Sequence, residues 1–359
     1  MNTFCMSSLF DGKDYFKEAM LKRPPSLSTG FNTIDILLQG GLNTEFYIMT
    51  AETSVGKSAL METMAGNMAA AGNNILYFSY EMGKKEFNAR GISSQSFRAH
   101  LSDPGKPAYK SGDILNWMYD KTLQDFTIIP YGKYEEYAEI FFDRYGRNFY
   151  IVEAGLERIS AKAITEIVSG FKETHPDKPL VVFVDYLQII SADGLDSSQN
   201  DRKTKVDVAV KTLKGLSISQ EIPVFTVSSV GRNEYGKGQS IGSAKESGDA
   251  EYTAGVLIGW DWTGVTDAKN KEDALKEIKE SENRGYRKMK FAVLKNRNAE
   301  RDTSVELFYY PAYNFFTEKN PAHYSKAELI NENDHEDDLP FQASDEDEWP
   351  DFPDDILHV

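Results

Sequence analysis

Lys57 and Ser58 stand side by side at the end of the stretch Ala51-Glu52-Thr53-Ser54-Val55-Gly56-Lys57-Ser58. An ammonium next to a hydroxyl, reached through a glycine-containing loop, suits the chemistry of a nucleotide phosphate. Backbone N–H groups and a helix N-terminus would face the phosphate oxygens, Lys57 would offset β/γ charge, and the Ser58 hydroxyl would ligate Mg²⁺. The contacting segment runs from Ala51 through Ala59. Its first residue is Ala51 where the pattern expects Gly, at some loss of backbone freedom. The flanks agree with the motif: the apolar run Phe46 to Thr50 reads as a buried strand and Ser58 to Ala71 as a helix. An ordinary strand-to-helix turn is the alternative, so the rest of the chain has to decide.

Two carboxylates extend the chemistry. Glu81 follows the apolar run Ile75 to Ser79, and strand ends are where functional groups gather in open α/β sheets. It could polarise a water opposite a γ-phosphate, or merely favour a helix N-terminus. Asp185 ends the strongest apolar run, Leu180-Val181-Val182-Phe183-Val184, in the Walker B layout, where a carboxylate holds Mg²⁺, often through water. Unbroken hydrophobicity there predicts a strand buried on both faces of a parallel sheet. Against this stands an Asp that only closes a turn.

The remaining elements must position these groups. Helices are expected around Glu86 to Phe97, Asp113 to Thr122, Ala161 to Lys172, Lys205 to Ile218 and Asp267 to Asn283. Strands are expected at Phe149 to Val152, Val224 to Val227, Val256 to Trp260, Lys290 to Leu294 and Val305 to Tyr309. The aromatic-rich segment Phe126 to Tyr145 fits neither pattern clearly. Residues 191 to 204 read as an exposed loop. So does 233 to 248, whose Gly236, Gly238, Gly242 and Gly248 accompany Lys237 and Lys245; it could contact a nucleic-acid backbone or simply be solvated. Asp11 to Lys22 reads as a short amphipathic helix ended by Arg23-Pro24-Pro25. It would fold back on its own domain or dock on a neighbouring subunit.

Composition sets the outer limits. The chain has 359 residues, 40% hydrophobic and 12% aromatic, enough for one large α/β domain with appendages. A single cysteine, Cys5, excludes an internal disulfide framework and a multi-Cys zinc site. No signal-peptide layout or membrane-length apolar run is present, so a cytoplasmic protein without membrane association is expected. The formal charge of −16 is unevenly placed. Residues 318 to 359 carry 14 acidic and 2 basic side chains, leaving 42 acidic and 38 basic in the rest. The charge asymmetry marks off a disordered acidic tail at 318–359, leaving a short linker-like segment at 1–24 and one domain at 25–317.

Taken together, the chain resembles the RecA-like C-terminal motor domain of DnaB-type replicative helicases over roughly residues 25 to 317. The matching segments are Ser28-Thr29-Gly30-Phe31, Ile34-Asp35, Gly40-Gly41-Leu42, the phosphate loop and Phe78-Ser79-Tyr80-Glu81-Met82. They continue through Asp185-Tyr186-Leu187-Gln188, Leu213-Lys214, Ile222-Pro223-Val224, Glu246-Ser247-Gly248 and Lys295-Asn296-Arg297-Asn298. The resemblance implies an α/β P-loop ATPase core, with a mainly parallel central sheet flanked by helices. It also implies a homo-oligomeric ring, a hexamer, with ATP and Mg²⁺ bound between subunits and single-stranded DNA in the channel. Glu81 would be the catalytic carboxylate and Asp185 the Walker B acid. Lys295 and Arg297 would reach into the neighbouring subunit's site, the arginine as a finger. The loops at 191 to 204 and 233 to 248 would line the channel.

Two departures are visible. Ser229 stands where the family places a γ-phosphate-sensing Gln, and the family's N-terminal helical domain has no counterpart in residues 1 to 24. Asp337-Asp338-Leu339-Pro340-Phe341 is loosely similar to the acidic tips of single-stranded-DNA-binding proteins. The tail would then be a solubilising segment, a ligand for replication proteins, or a competitor for the chain's own DNA channel. Two functions follow: a DNA helicase motor, or a RecA-like ATPase switch that binds DNA or protein without unwinding.

Overall fold

The computed structural model describes residues 26–119, 131–155, 159–190, 202–230, 238–240, 252–297 and 303–329. The readings at 1–24 and 330–359, and most of both proposed channel loops, lie outside these residues. In chain order the elements are α1 (Asn32–Leu37), β1 (Phe46–Ala51), α2 (Lys57–Ala70), β2 (Asn74–Ser79), α3 (Lys84–Ser102), α4 (Ser111–Tyr119) and α5 (Tyr131–Tyr145). They continue with β3 (Phe149–Glu153), α6 (Ala161–Thr174), β4 (Leu180–Asp185), α7 (Arg202–Gln220), β5 (Val224–Ser229) and β6 (Val256–Trp262). The last are α8 (Lys271–Arg284), β7 (Arg287–Asn296), β8 (Thr303–Tyr310) and β9 (Phe315–Thr317).

All nine strands form one sheet, ordered β3-β2-β4-β5-β1-β6-β7-β8-β9. From β3 to β6 every pairing is parallel; β6 to β9 pair antiparallel. Strands β1, β2 and β4 are buried along their whole length, as unbroken apolar runs in a two-sided sheet should be. Their side chains alternate between two cores. Tyr47, Met49 and Ala51 meet α1 and α2 on one face. Phe46 and Ile48 share the other face with Ile164 and Val168 of α6 and Ala209 and Leu213 of α7. The expected mainly parallel, helix-flanked α/β sheet is present.

Several elements differ from expectation for identifiable reasons. The aromatic segment around Tyr131 to Tyr145 is helical, and its buried residues Tyr134, Tyr137, Ala138, Phe141 and Tyr145 pack with Phe87 and Ile92 of α3. Their spacing is that of a helix stripe; a run of β-favouring aromatics obscured it. Helix α8 begins at Lys271 rather than Asp267 because the Asn270 side chain accepts from Asp273 N, a cap that fixes the start. The division at residue 317 cuts through a contact. Glu318 accepts from the backbone N–H of Asn32 and Thr33 at the start of α1, and Leu329 is buried beside Phe97 and Phe315. Residues 318–329 therefore pack with the body. Among the described residues no helix is long and apolar enough to cross a membrane.

Candidate active site

The parallel strands end at one edge of the sheet, and three of them deliver the polar groups there. The loop after β1 carries Lys57 and Ser58, the turn after β2 carries Glu81, and β4 ends on Asp185. Strand β5 lies between β4 and β1, with Ala51 paired to Ser229. Ser229 is thus beside the phosphate loop, as the resemblance implies.

The loop needs unusual backbone. Gly56 sits at φ +88° and Ser54 at φ +61°, a region that glycine adopts without the Cβ penalty. A Cβ on Gly56 would also come within 2.8 Å of the Tyr309 ring. The loop's carbonyls are held from behind. Trp260 Nε1 donates to Val55 O at 3.0 Å, and Arg287, whose guanidinium lies 4.3 Å from the Trp262 ring centre, donates to Ser54 O at 3.2 Å. Sequence reading missed both residues. Their signal, an aromatic and a cation at the sheet edge nearest the loop, appears only once the β1–β6–β7 order is known.

Lys57 is only 9% exposed and rests on its own loop, with Nζ 2.6 Å from Glu52 O and 3.4 Å from Ala51 O. The Ala51 carbonyl also accepts from Val230 N at 3.1 Å. Burial brings the Lys57 ammonium down from 10.5 to about 8, against the opposing pull of Asp185, Glu81 and Glu52.

Asp185 is almost fully buried, and burial raises its carboxyl above the ordinary range despite hydrogen bonds from Ser58 and Tyr77. The Tyr77 hydroxyl donates to its Oδ2 at 3.2 Å, while Oδ1 is buried with no hydrogen-bond partner. A buried, unpartnered carboxylate oxygen beside a Ser hydroxyl fits a hydrated magnesium ion, which takes one or two protein oxygens and completes its shell with phosphate and water. Among the described residues no cluster of three or more His, Cys, Asp or Glu could hold a metal alone.

Glu81 is placed by its neighbours. Ser79 Oγ donates to Met82 O at 2.7 Å and accepts from Met82 N at 3.2 Å, closing the turn around Glu81. Tyr80 N donates to Asp185 O at 2.9 Å, fastening that turn to the Walker B strand. Glu81 is exposed and close enough to act electrostatically on both Lys57 and Asp185. Behind these groups Arg90 of α3 and the buried Glu62 of α2 form an ion pair at 2.9 Å. Burial still lifts the Glu62 carboxyl to about 7.

Lys295 and Arg297 are not brought to this cluster. Asn296 pairs with Val256, and Val256 with Tyr47, four residues before Ala51. Arg297, one residue further, donates its N–H to Gly255 O, level with Phe46, so at roughly 3.3 Å per residue it lies about 16 Å down the sheet from the phosphate loop, at the opposite edge. There Lys295 Nζ donates to Ala254 O at 3.0 Å and Arg297 to Tyr252 O at 2.6 Å. Gln188 holds the neighbourhood of Ser229: its amide donates to Ser228 Oγ at 2.7 Å and Ser229 O at 3.0 Å, and accepts from Ser229 N at 3.3 Å.

Comparison with known proteins bears on the family and the fold. The model of the DnaB-like helicase C terminal domain matches residues 26–110 and 138–318. The replicative DNA helicase DnaB of Treponema pallidum (strain Nichols) is 26% identical over 65% of this chain and 47% of its own length. That of Geobacillus stearothermophilus is 24% identical over 81% of this chain and 56% of its own. The chain thus spans about half the length of these curated relatives. The solved ATPase domain of G40P superposes with a TM-score of 0.65 at 21% identity, over 87% of this chain and 99% of that one, a likeness of fold. Because the family model covers both the sheet and the segments that build the site, this chain belongs to the DnaB-like helicase C-terminal domain family.

Proposed function

We propose that the chain is the ATP-hydrolysing motor of a ring-shaped DNA helicase, working on single-stranded DNA as a homo-oligomer, a hexamer, in the cytoplasm. Residues 51 to 59 cradle the phosphates and Lys57 leaves its loop carbonyls for β/γ oxygens. Ser58 and Asp185 hold a magnesium ion, which would supply charge neutralisation of the phosphates. Glu81 accepts a proton from, or orients, the attacking water. Lys295 and Arg297 complete the site of the adjacent subunit, where the guanidinium fork stabilises charge on the transferring phosphoryl group. The acidic tail is assigned to replication-protein partners.

The observation that carries this reading is the separation of the parts. Lys57, Ser58, Glu81 and Asp185 converge at one sheet edge while Arg297 sits at the other, which suits an active site shared between copies in a heterologous ring. A second reading, an ATPase switch, draws on Ser229, too short to sense phosphate and already engaged by Gln188. Forked-duplex unwinding and ATPase activity, with and without single-stranded DNA and beside Lys57→Ala, separate the two. A motor unwinds and loses both activities with Lys57→Ala. DNA-stimulated hydrolysis without strand separation would replace the motor by the switch.

A further inference from the structure

Asp185 accepts from the hydroxyls of Ser58 and Tyr77, yet one of its oxygens is left without a partner. Its Oδ2 accepts from the Tyr77 hydroxyl at 3.2 Å, whereas Oδ1 is buried and without a hydrogen-bond partner. Rotation about the broad χ2 torsion of an Asp exchanges its two oxygens unless one is pinned. Tyr77 is built to pin it. It lies on β2 opposite Phe183 of β4, fully buried, its ring stacked on Phe149 and Phe183 at 5.8 and 6.1 Å with the Phe87 ring edge-on at 5.7 Å. Three aromatic neighbours leave the ring one orientation, and the hydroxyl one position.

We propose that Tyr77 is a positioning residue for ATP hydrolysis: its hydroxyl fixes Oδ2 of Asp185 so that Oδ1 faces the magnesium ion or its water. This rests on the reading of Asp185 as the metal-side acid. Residues that orient a metal-binding carboxylate cost about 10–100-fold in metal affinity or activity when removed. One neutral hydroxyl at 3.2 Å belongs at the lower end.

Tyr77→Phe keeps the ring and its three aromatic contacts and removes only the donor. In the full-length chain, Mg²⁺ is titrated against a fixed concentration of a fluorescent, non-hydrolysable ATP analogue, with steady-state ATPase read in parallel. The Mg²⁺ concentration at half-saturation should rise about tenfold in both readouts. Analogue binding in EDTA and the circular-dichroism spectrum should match the parent. An unchanged Mg²⁺ midpoint, or an equal loss of binding with and without Mg²⁺, overturns the proposal. Asp185→Asn is run beside it. If that variant leaves the Mg²⁺ dependence unchanged, the metal role of Asp185 itself falls. If it shifts the midpoint and Tyr77→Phe does not, only the positioning role falls.

Discussion

Replacing Arg297 by Ala should stop turnover in rings made wholly of that variant, and mixing it with Lys57→Ala subunits should restore part of it. The guanidinium is exposed and, among the described residues, bonded to a surface carbonyl, Tyr252 O, so its loss should change stability by about 0.5 kcal/mol or less. Its place about 16 Å down the sheet from its own phosphate loop denies it that nucleotide. A finger supplied to the neighbouring site is worth about 10³–10⁵ in kcat, or about 4–7 kcal/mol of barrier. In a heterologous ring each site takes Lys57 from one subunit and Arg297 from the next. Random equal mixing then makes up to about one site in four fully competent, although neither variant alone makes any. ATPase activity is followed at saturating ATP and DNA across mixing ratios, after subunits have exchanged. A maximum near equal mixing supports the shared site. Activity that never exceeds the weighted sum of the two variants, or full activity in Arg297→Ala alone, refutes it.

Two further outcomes follow from the loop. Because burial holds free Lys57 at about 8 and phosphate oxygens favour its charged form, ATP binding should take up a proton above about pH 8, and affinity should fall as pH rises from there toward the ordinary lysine value. Calorimetric titrations near pH 8.5 in two buffers of different ionisation enthalpy check this, and identical apparent enthalpies would refute it. Gly56→Ala should cost at least about 1 kcal/mol in thermal unfolding and abolish nucleotide binding. It must place a Cβ 2.8 Å from Tyr309, a ring that stacks on Phe316 at 4.3 Å and has nowhere to swing.

The parallel half of the sheet was legible because its strands declare themselves locally. Runs such as Leu180 to Val184 are apolar without alternation, and each of the three key strands hands on to a polar residue at its end. Lys57, Ser58, Glu81 and Asp185 could therefore be named before their meeting was visible. What could not be read depends on pairing between distant segments. Trp260, Arg287 and Tyr77 look like ordinary strand residues until the order β2-β4 and β1-β6-β7 sets them beside Asp185 and the phosphate loop. The helix Tyr131–Tyr145 buries a stripe of aromatics, but their β propensity kept either period from standing out in the sequence. Glu318 was counted with the tail because charge statistics cannot see a side chain that accepts from a helix start 286 residues away.

One oxygen atom has two claimants. The Ala51 carbonyl accepts both from the Lys57 ammonium and from the N–H of Val230, the first residue past β5. An arriving phosphate would draw the ammonium off and leave the Val230 N–H donating to an acceptor no longer polarised by a cation. Nucleotide occupancy would thereby be felt by the backbone at Val230, the first residue past β5. This route runs through the Lys57 ammonium and two backbone groups, so a serine at position 229 does not interrupt it.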